Sequence, residues 1–124
     1  GRRYHSIILC SQTGESARLV AKYRPEVPVY GVSTESTSLQ RMSLYRGVNP
    51  LRLRSSETAA QERERAFRVV AHRYLEVNPD KNEFGAILIN GKSPGMPYSS
   101  SMMELREITR DEISRLNRSV VPLP

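Results

Sequence analysis

The sequence has one cysteine, Cys10, two histidines and no tryptophan. A lone thiol closes no disulfide within the chain, so nothing implies an oxidising compartment. Inside an apolar run, Cys10 is expected to be a buried, inert thiol rather than a nucleophile. His72 has no cysteine or second histidine at ligand spacing. It is expected to be a surface or packed side chain rather than a metal ligand. No apolar run approaches the roughly 18 residues that a membrane span needs, and residues 1–6 are too short and too polar for a secretory signal. These absences predict a soluble, cytoplasmic chain with no membrane partner. Repeats and low-complexity tracts are absent as well.

What is present suits one domain with a single core: 124 residues, 38% of them apolar and 26% charged. The formal charge of +6 comes from 19 basic residues interleaved with 13 acids rather than clustered. The tyrosines do not gather with Arg or Lys into a stacking platform. A small anion is therefore a better expected partner than nucleic acid.

Apolar runs at residues 6–11, 29–33, 48–53 and 84–90 read as strands and alternate with helical segments. The first helix is expected over residues 16–24, with Ala17, Val20 and Ala21 on one face and Pro25 stopping it. Residues 33–38 offer N-caps for a second helix, with Leu39 and Met42 inward and its end marked by Gly47. The third runs over residues 56–77, where Phe67, Val70, Ala71 and Tyr74 keep an i, i+3, i+4, i+7 stripe. Glu64 and Arg68 should pair on its outer side, and Glu57, Glu62 and Glu64 alternate with arginines there without an environment that would hold a proton. Such a rhythm predicts a mostly parallel sheet covered by helices on both faces.

Ligands of such sheets collect beyond the carboxyl ends of the strands. "SQTGES" at residues 11–16 lies there and leads into a helix. The hydroxyls of Ser11, Thr13 and Ser16 around Gly14, with the helix N-terminus, suit a phosphate. Thr13 or Ser16 equally serves as a plain helix cap. A second loop, "NGKSPGMPYSSS" at residues 90–101, follows the fourth strand and should emerge at the same edge. Its Gly91-Lys92-Ser93 lacks the upstream glycine and the following helix of a P-loop, since Ala86 and Pro94 stand in those places. Lys92 is either a point charge for an anion or a solvated residue flanking an apolar strand.

The segment "SQTGESARLVAKYRP", followed by "PVYGVS", by "LYRG" at residues 44–47 and by "GKSPGMPYSSSMMELREI", resembles the C-terminal domain of pyruvate kinase. That resemblance implies a three-layer α/β sandwich with a mostly parallel five-stranded sheet whose last strand is antiparallel. It also implies a non-catalytic domain that binds a sugar bisphosphate effector and takes part in subunit contacts. Tentative phosphate-binding residues by this likeness are Ser11, Gln12, Thr13, Gly14 and Ser16 in the first loop, with Gly91, Lys92, Gly95 and Ser99 in the second. Gln12 replaces a lysine of ester-binding animal members and Glu15 a frequent arginine, so binding should be weak. No cofactor is expected in this chain; magnesium and potassium are implied only for a parent enzyme that makes pyruvate and ATP from phosphoenolpyruvate and ADP. Nothing in the chain resembles that enzyme's catalytic barrel, so the chain alone should be inactive. Its expected partners are a second copy or an upstream barrel domain. An alternative is a stand-alone interaction module that kept the fold and lost the effector.

Residues 1–108 are expected to form this domain and residues 109–124 a helical extension or tail. In one reading residues 102–108 are the last strand and Thr109 with Glu112 forms a capping box for a helix to about residue 118. In the other, residues 119–124 are the last strand. The helix that precedes the first strand in the family is missing from the sequence, which should leave one sheet face partly bare.

Overall fold

A computed structural model describes residues 4–10, 25–54, 58–90 and 102–119. Strand β1 (Ser6–Cys10) is central, flanked by β2 (Val29–Ser33) and β4 (Glu83–Asn90), with β3 (Val48–Arg52) and β5 (Met102–Thr109) at the edges. The order is β3-β2-β1-β4-β5; the first four are mutually parallel and β5 runs antiparallel to β4. Strand bounds match the sequence expectation to within a residue, apart from Ser11, which lies outside the described residues. Pro50 sits in β3, where an edge position lets it lack a ladder donor.

Helices lie on both faces, giving three layers. Helix α1 (Ser36–Met42) packs on β2 and β3, and helix α2 (Ala59–Val77) covers the other face. The larger core joins Ile8, Val32, Leu51, Phe84, Ala86 and Leu88 of the sheet to Phe67, Val70, Ala71 and Leu75 of α2. The smaller joins Leu9, Val29 and Val48 to Met42 of α1. Helix α1 comes so near the sheet that a Cβ on Gly31 would lie 2.4 Å from Met42 Sδ.

Helix α1 ends at Met42, earlier than Gly47 suggests. Ser43, Leu44 and Tyr45 donate back to Leu39, Arg41 and Met42, continuing the chain as tight turns. Gly47, at φ +85°, then turns it into β3. Helix α2 is capped by Thr58, whose Oγ1 accepts from Gln61 N at 3.1 Å. At its far end Asn78 N donates to Tyr74 O. Helix α3 (Arg110–Ser119) follows β5, and its capping box forms as the spacing predicts: Glu112 N donates to Thr109 Oγ1, and Thr109 N to Glu112 Oε1. Among the described residues the last strand is thus residues 102–109; residues 120–124 and the helix expected over 16–24 lie outside the described residues.

Candidate functional site at the carboxyl edge of the sheet

The chain moves from β1 through β2 to β3 on one side, then returns to place β4 on the other side of β1. In an open parallel sheet this reversal opens a crevice at the strands' carboxyl ends, where ligands bind. Here that switch point falls at Cys10 and Asn90, which are partners in the parallel register. The two loops singled out in the sequence depart from these paired strand ends. Ser11, Gln12, Thr13, Gly14 and Ser16 of the first, and Gly91, Lys92, Gly95 and Ser99 of the second, lie outside the described residues.

Several described polar groups line the same edge. Ser33, nearly buried at the end of β2, accepts through Oγ from Glu35 N at 3.0 Å. This turn leads into α1, whose N-cap residue Glu35 makes no side-chain cap. Arg52, the last residue of β3, donates through Nη1 to Ser36 Oγ at 3.1 Å and ties β3 to the start of α1. Cys10 is half-buried and packs against the larger core rather than being fully enclosed, because it stands at the strand end. Burial, with the nearby Glu62 carboxylate, pushes its thiol pKa up to about 11 against a smaller opposing pull from Arg63. A thiol so protonated is a poor nucleophile at neutral pH.

Away from this edge, Glu64 pairs with Arg68 as the i, i+4 spacing predicts, and also with a partner that spacing does not show. Arg68 Nε lies 3.9 Å from Glu64 Oε1, and Arg106 of β5 holds both carboxylate oxygens with Nη1 and Nη2. Arg106 also lies 4.6 Å over the Phe67 ring. The hydrogen bond from Arg106 lowers the Glu64 pKa, overcoming the opposing effect of burial. The ion pair with Arg68 is longer than a hydrogen bond, and the buried Arg68 Nε has no hydrogen-bond partner among the described residues. His72 is exposed, with Nδ1 3.6 Å from Glu76. No group of three metal-ligating side chains occurs among the described residues, and no helix among them is long and apolar enough to cross a membrane.

Composition and spacing gave no sign of His5. Its N donates to Gly85 O at 2.7 Å and its Nδ1 accepts from Gly85 N at 3.1 Å, so it extends the β1–β4 pairing. The ring stacks on Tyr74, with centroids 4.8 Å apart. No period marks a histidine just before a strand as a core-flanking residue.

Comparison with known proteins agrees with this architecture. The family model described as pyruvate kinase, alpha/beta domain, matches residues 3–105. Chloroplastic pyruvate kinase isozyme G of Ricinus communis is 31% identical over 88 residues, covering 71% of this chain and 20% of that protein. The pyruvate kinase of Hypocrea jecorina is 48% identical over 44 residues, 36% of this chain and 8% of that protein. The structure of Cryptosporidium parvum pyruvate kinase in complex with ADP superposes with a TM-score of 0.64 at 23% identity, over 84% of this chain and 20% of that one. That last likeness is one of fold. The chain spans a fifth or less of the length of these relatives. By the extent of the family match, the chain belongs to the pyruvate kinase alpha/beta domain family.

Proposed function

We propose that this chain is a non-catalytic assembly and regulatory domain of a pyruvate kinase-like protein. The observation that carries the reading is an exposed apolar area on β5, on the α1 side of the sheet, continuous with half-buried residues of β4. Its exposed members are Met103 and Leu105 of β5, paired across the ladder with half-buried Ile89 and Ile87 of β4; further along these rows, Ile7 of β1 is half-buried and Leu9 fully buried. Helix α1 packs on β2 and β3 instead, and Met103 and Leu105 are 72% and 42% exposed. Contiguous exposed apolar surface marks a contact, and its occupant is a second copy or the domain that precedes this one in the relatives. Light scattering over a concentration series, with a hydrophobic dye as second readout, tests it. The chain should self-associate or bind dye, and a Met103→Glu, Leu105→Lys variant should do neither. A native chain that stays monomeric and dye-free at every concentration overturns the reading.

The regulatory half of the proposal is that the crevice between β1 and β4 takes a sugar bisphosphate weakly, through the hydroxyls of Ser11, Thr13 and Ser16 and the point charge of Lys92. The pairing of Cys10 with Asn90 supports it, since both loops leave from neighbouring strand ends. In the parent protein, the phosphoenolpyruvate and ADP chemistry and its magnesium and potassium ions would belong to another domain. The competing reading, an interaction module without an effector, rests on Gln12 and Glu15.

A further inference from the structure

The C-terminal end of α2 and the first turns of α3 enclose an open cleft of about 310 Å³, lined by His72, Leu75, Glu76, Arg110, Ile113 and Ser114. It lies beside the start of β4, where Arg110 N donates to Asn82 O at 2.7 Å. That is the opposite edge of the sheet from Cys10 and Asn90. One wall, α3, lies beyond residues 3–105, the part matched by the family. The cleft is therefore neither the crevice described above nor an inherited part of it.

Its floor is apolar: Leu75 is 3% exposed and Ile113 packs against the larger core. Its polar groups are held in place. Arg110 donates through Nε to Lys81 O and through Nη2 to the carbonyls of Leu75, Asn78 and Lys81. Carbonyls at a helix C-terminus carry only partial negative charge, so they fix the guanidinium without discharging it, and Nη1 is not used by these bonds. Ser114, one turn further along α3, lines the same cleft. On the facing wall His72 Nδ1 lies 3.6 Å from Glu76 Oε2.

An apolar floor ringed by a few convergent hydrogen-bonding groups is the usual make-up of a small-ligand site, and this volume is at the lower end of the range of about 300–1,000 Å³. We propose that the cleft binds a small organic monocarboxylate with an apolar body. The carboxylate sits at Arg110 Nη1 and Ser114 Oγ, as a charge-assisted pair with one guanidinium edge. The body lies on Leu75 and Ile113. Glu76 on the facing wall repels a second negative charge, which selects monoacids over diacids and phosphates.

Heteronuclear NMR titration of the 124-residue chain with benzoate, beside benzamide and inorganic phosphate, is the test. Benzoate should give saturable shifts in the millimolar range at His72, Ser114 and their neighbours, as fits one weak charged contact in an open cleft. Benzamide and phosphate should not. Replacing exposed Ser114 with Trp fills the cleft and should abolish the shifts, while Glu76→Gln should tighten binding about two- to fivefold by removing a like charge. Absence of saturable shifts, equal shifts with benzamide or phosphate, or an undiminished response in Ser114→Trp would overturn the proposal.

Discussion

At the scale of single residues, Arg106 ties β5 to α2 through two contacts of different kind. It grips both oxygens of Glu64, and it lies over Phe67, which is wholly buried. The side chains remain 30% and 40% exposed, so solvent screens the pair and its worth is near the surface scale of about 1 kcal/mol. The cation–π contact adds about 0.5–1 kcal/mol. Arg106→Ala should thus cost about 1–2 kcal/mol in chemical denaturation at neutral pH, and Glu64→Gln less, because the guanidinium keeps the ring and an amide oxygen. The sign of the pH effect follows from the direction of the shift. Glu64 has a lower pKa folded than unfolded, so its contribution is complete above the ordinary glutamate value of about 4.3 and is lost as pH falls through the folded value. Denaturation curves at neutral pH and near pH 3 should show native chain and Glu64→Gln converging on acidification. A gap that stays constant would mean that Glu64 does not titrate through this pair.

Among the elements, α1 is fixed by the absence of a side chain. A Cβ at Gly31 would meet Met42 Sδ at 2.4 Å and Val48 Cγ1 at 3.1 Å. Met42 is fully buried and has no solvent to retreat into. Gly31→Ala should therefore lower stability by about 1–3 kcal/mol through overpacking. Adding Met42→Val, which removes the clashing end, should recover part of the loss. Two additive penalties in that double variant would show that the glycine is not needed for this close approach. The same element marks where sequence reading stopped. The strands were legible because buried parallel strands read as short apolar runs between turn signals, and α2 because its 19 residues are long enough to carry a full i, i+3, i+4, i+7 stripe. Helix α1 has only seven residues, too few for the period to place its end, so Gly47 stood out although it closes the connection rather than the helix. The Glu64–Arg68 pair was legible because i, i+4 spacing is visible in sequence, whereas Arg106, which grips both oxygens, is 42 residues away and meets Glu64 only after β5 pairs with β4. For the candidate site, the sequence indicated the edge of the sheet and the two loops; the register of Cys10 with Asn90 came from the fold.

Across the whole molecule, the effector binding proposed above would combine sheet topology with charge. The chain as a whole is positive, at +6, a field that steers anions but is screened beyond about 10 Å at ordinary ionic strength. Affinity for a phosphate therefore depends on charges within contact reach of the crevice between β1 and β4. The proposed site would draw on the hydroxyls of Ser11, Thr13 and Ser16, while Gln12 and Glu15 replace the cations that the family resemblance implies. Each missing charge-assisted hydrogen bond is worth roughly 1.5–3 kcal/mol, so two cost on the order of a hundredfold to ten-thousandfold in affinity. Calorimetric titration with fructose 1,6-bisphosphate and fructose 2,6-bisphosphate should give weak or undetectable binding to the native chain and clear binding to a Gln12→Lys, Glu15→Arg variant. Micromolar binding to the native chain with no gain in the variant would defeat the electrostatic argument. Failure of both proteins to bind would reduce the hydroxyl loop to a helix cap and leave the interaction module as the better account. The apolar rows on β1, β4 and β5 lie on a sheet face and the crevice at the strand ends, so the Met103→Glu, Leu105→Lys variant should leave ester binding by the charge-restored protein unchanged while removing self-association. If ester affinity falls together with self-association, the crevice is completed only in the assembled form, and the regulatory and assembly roles belong to one device.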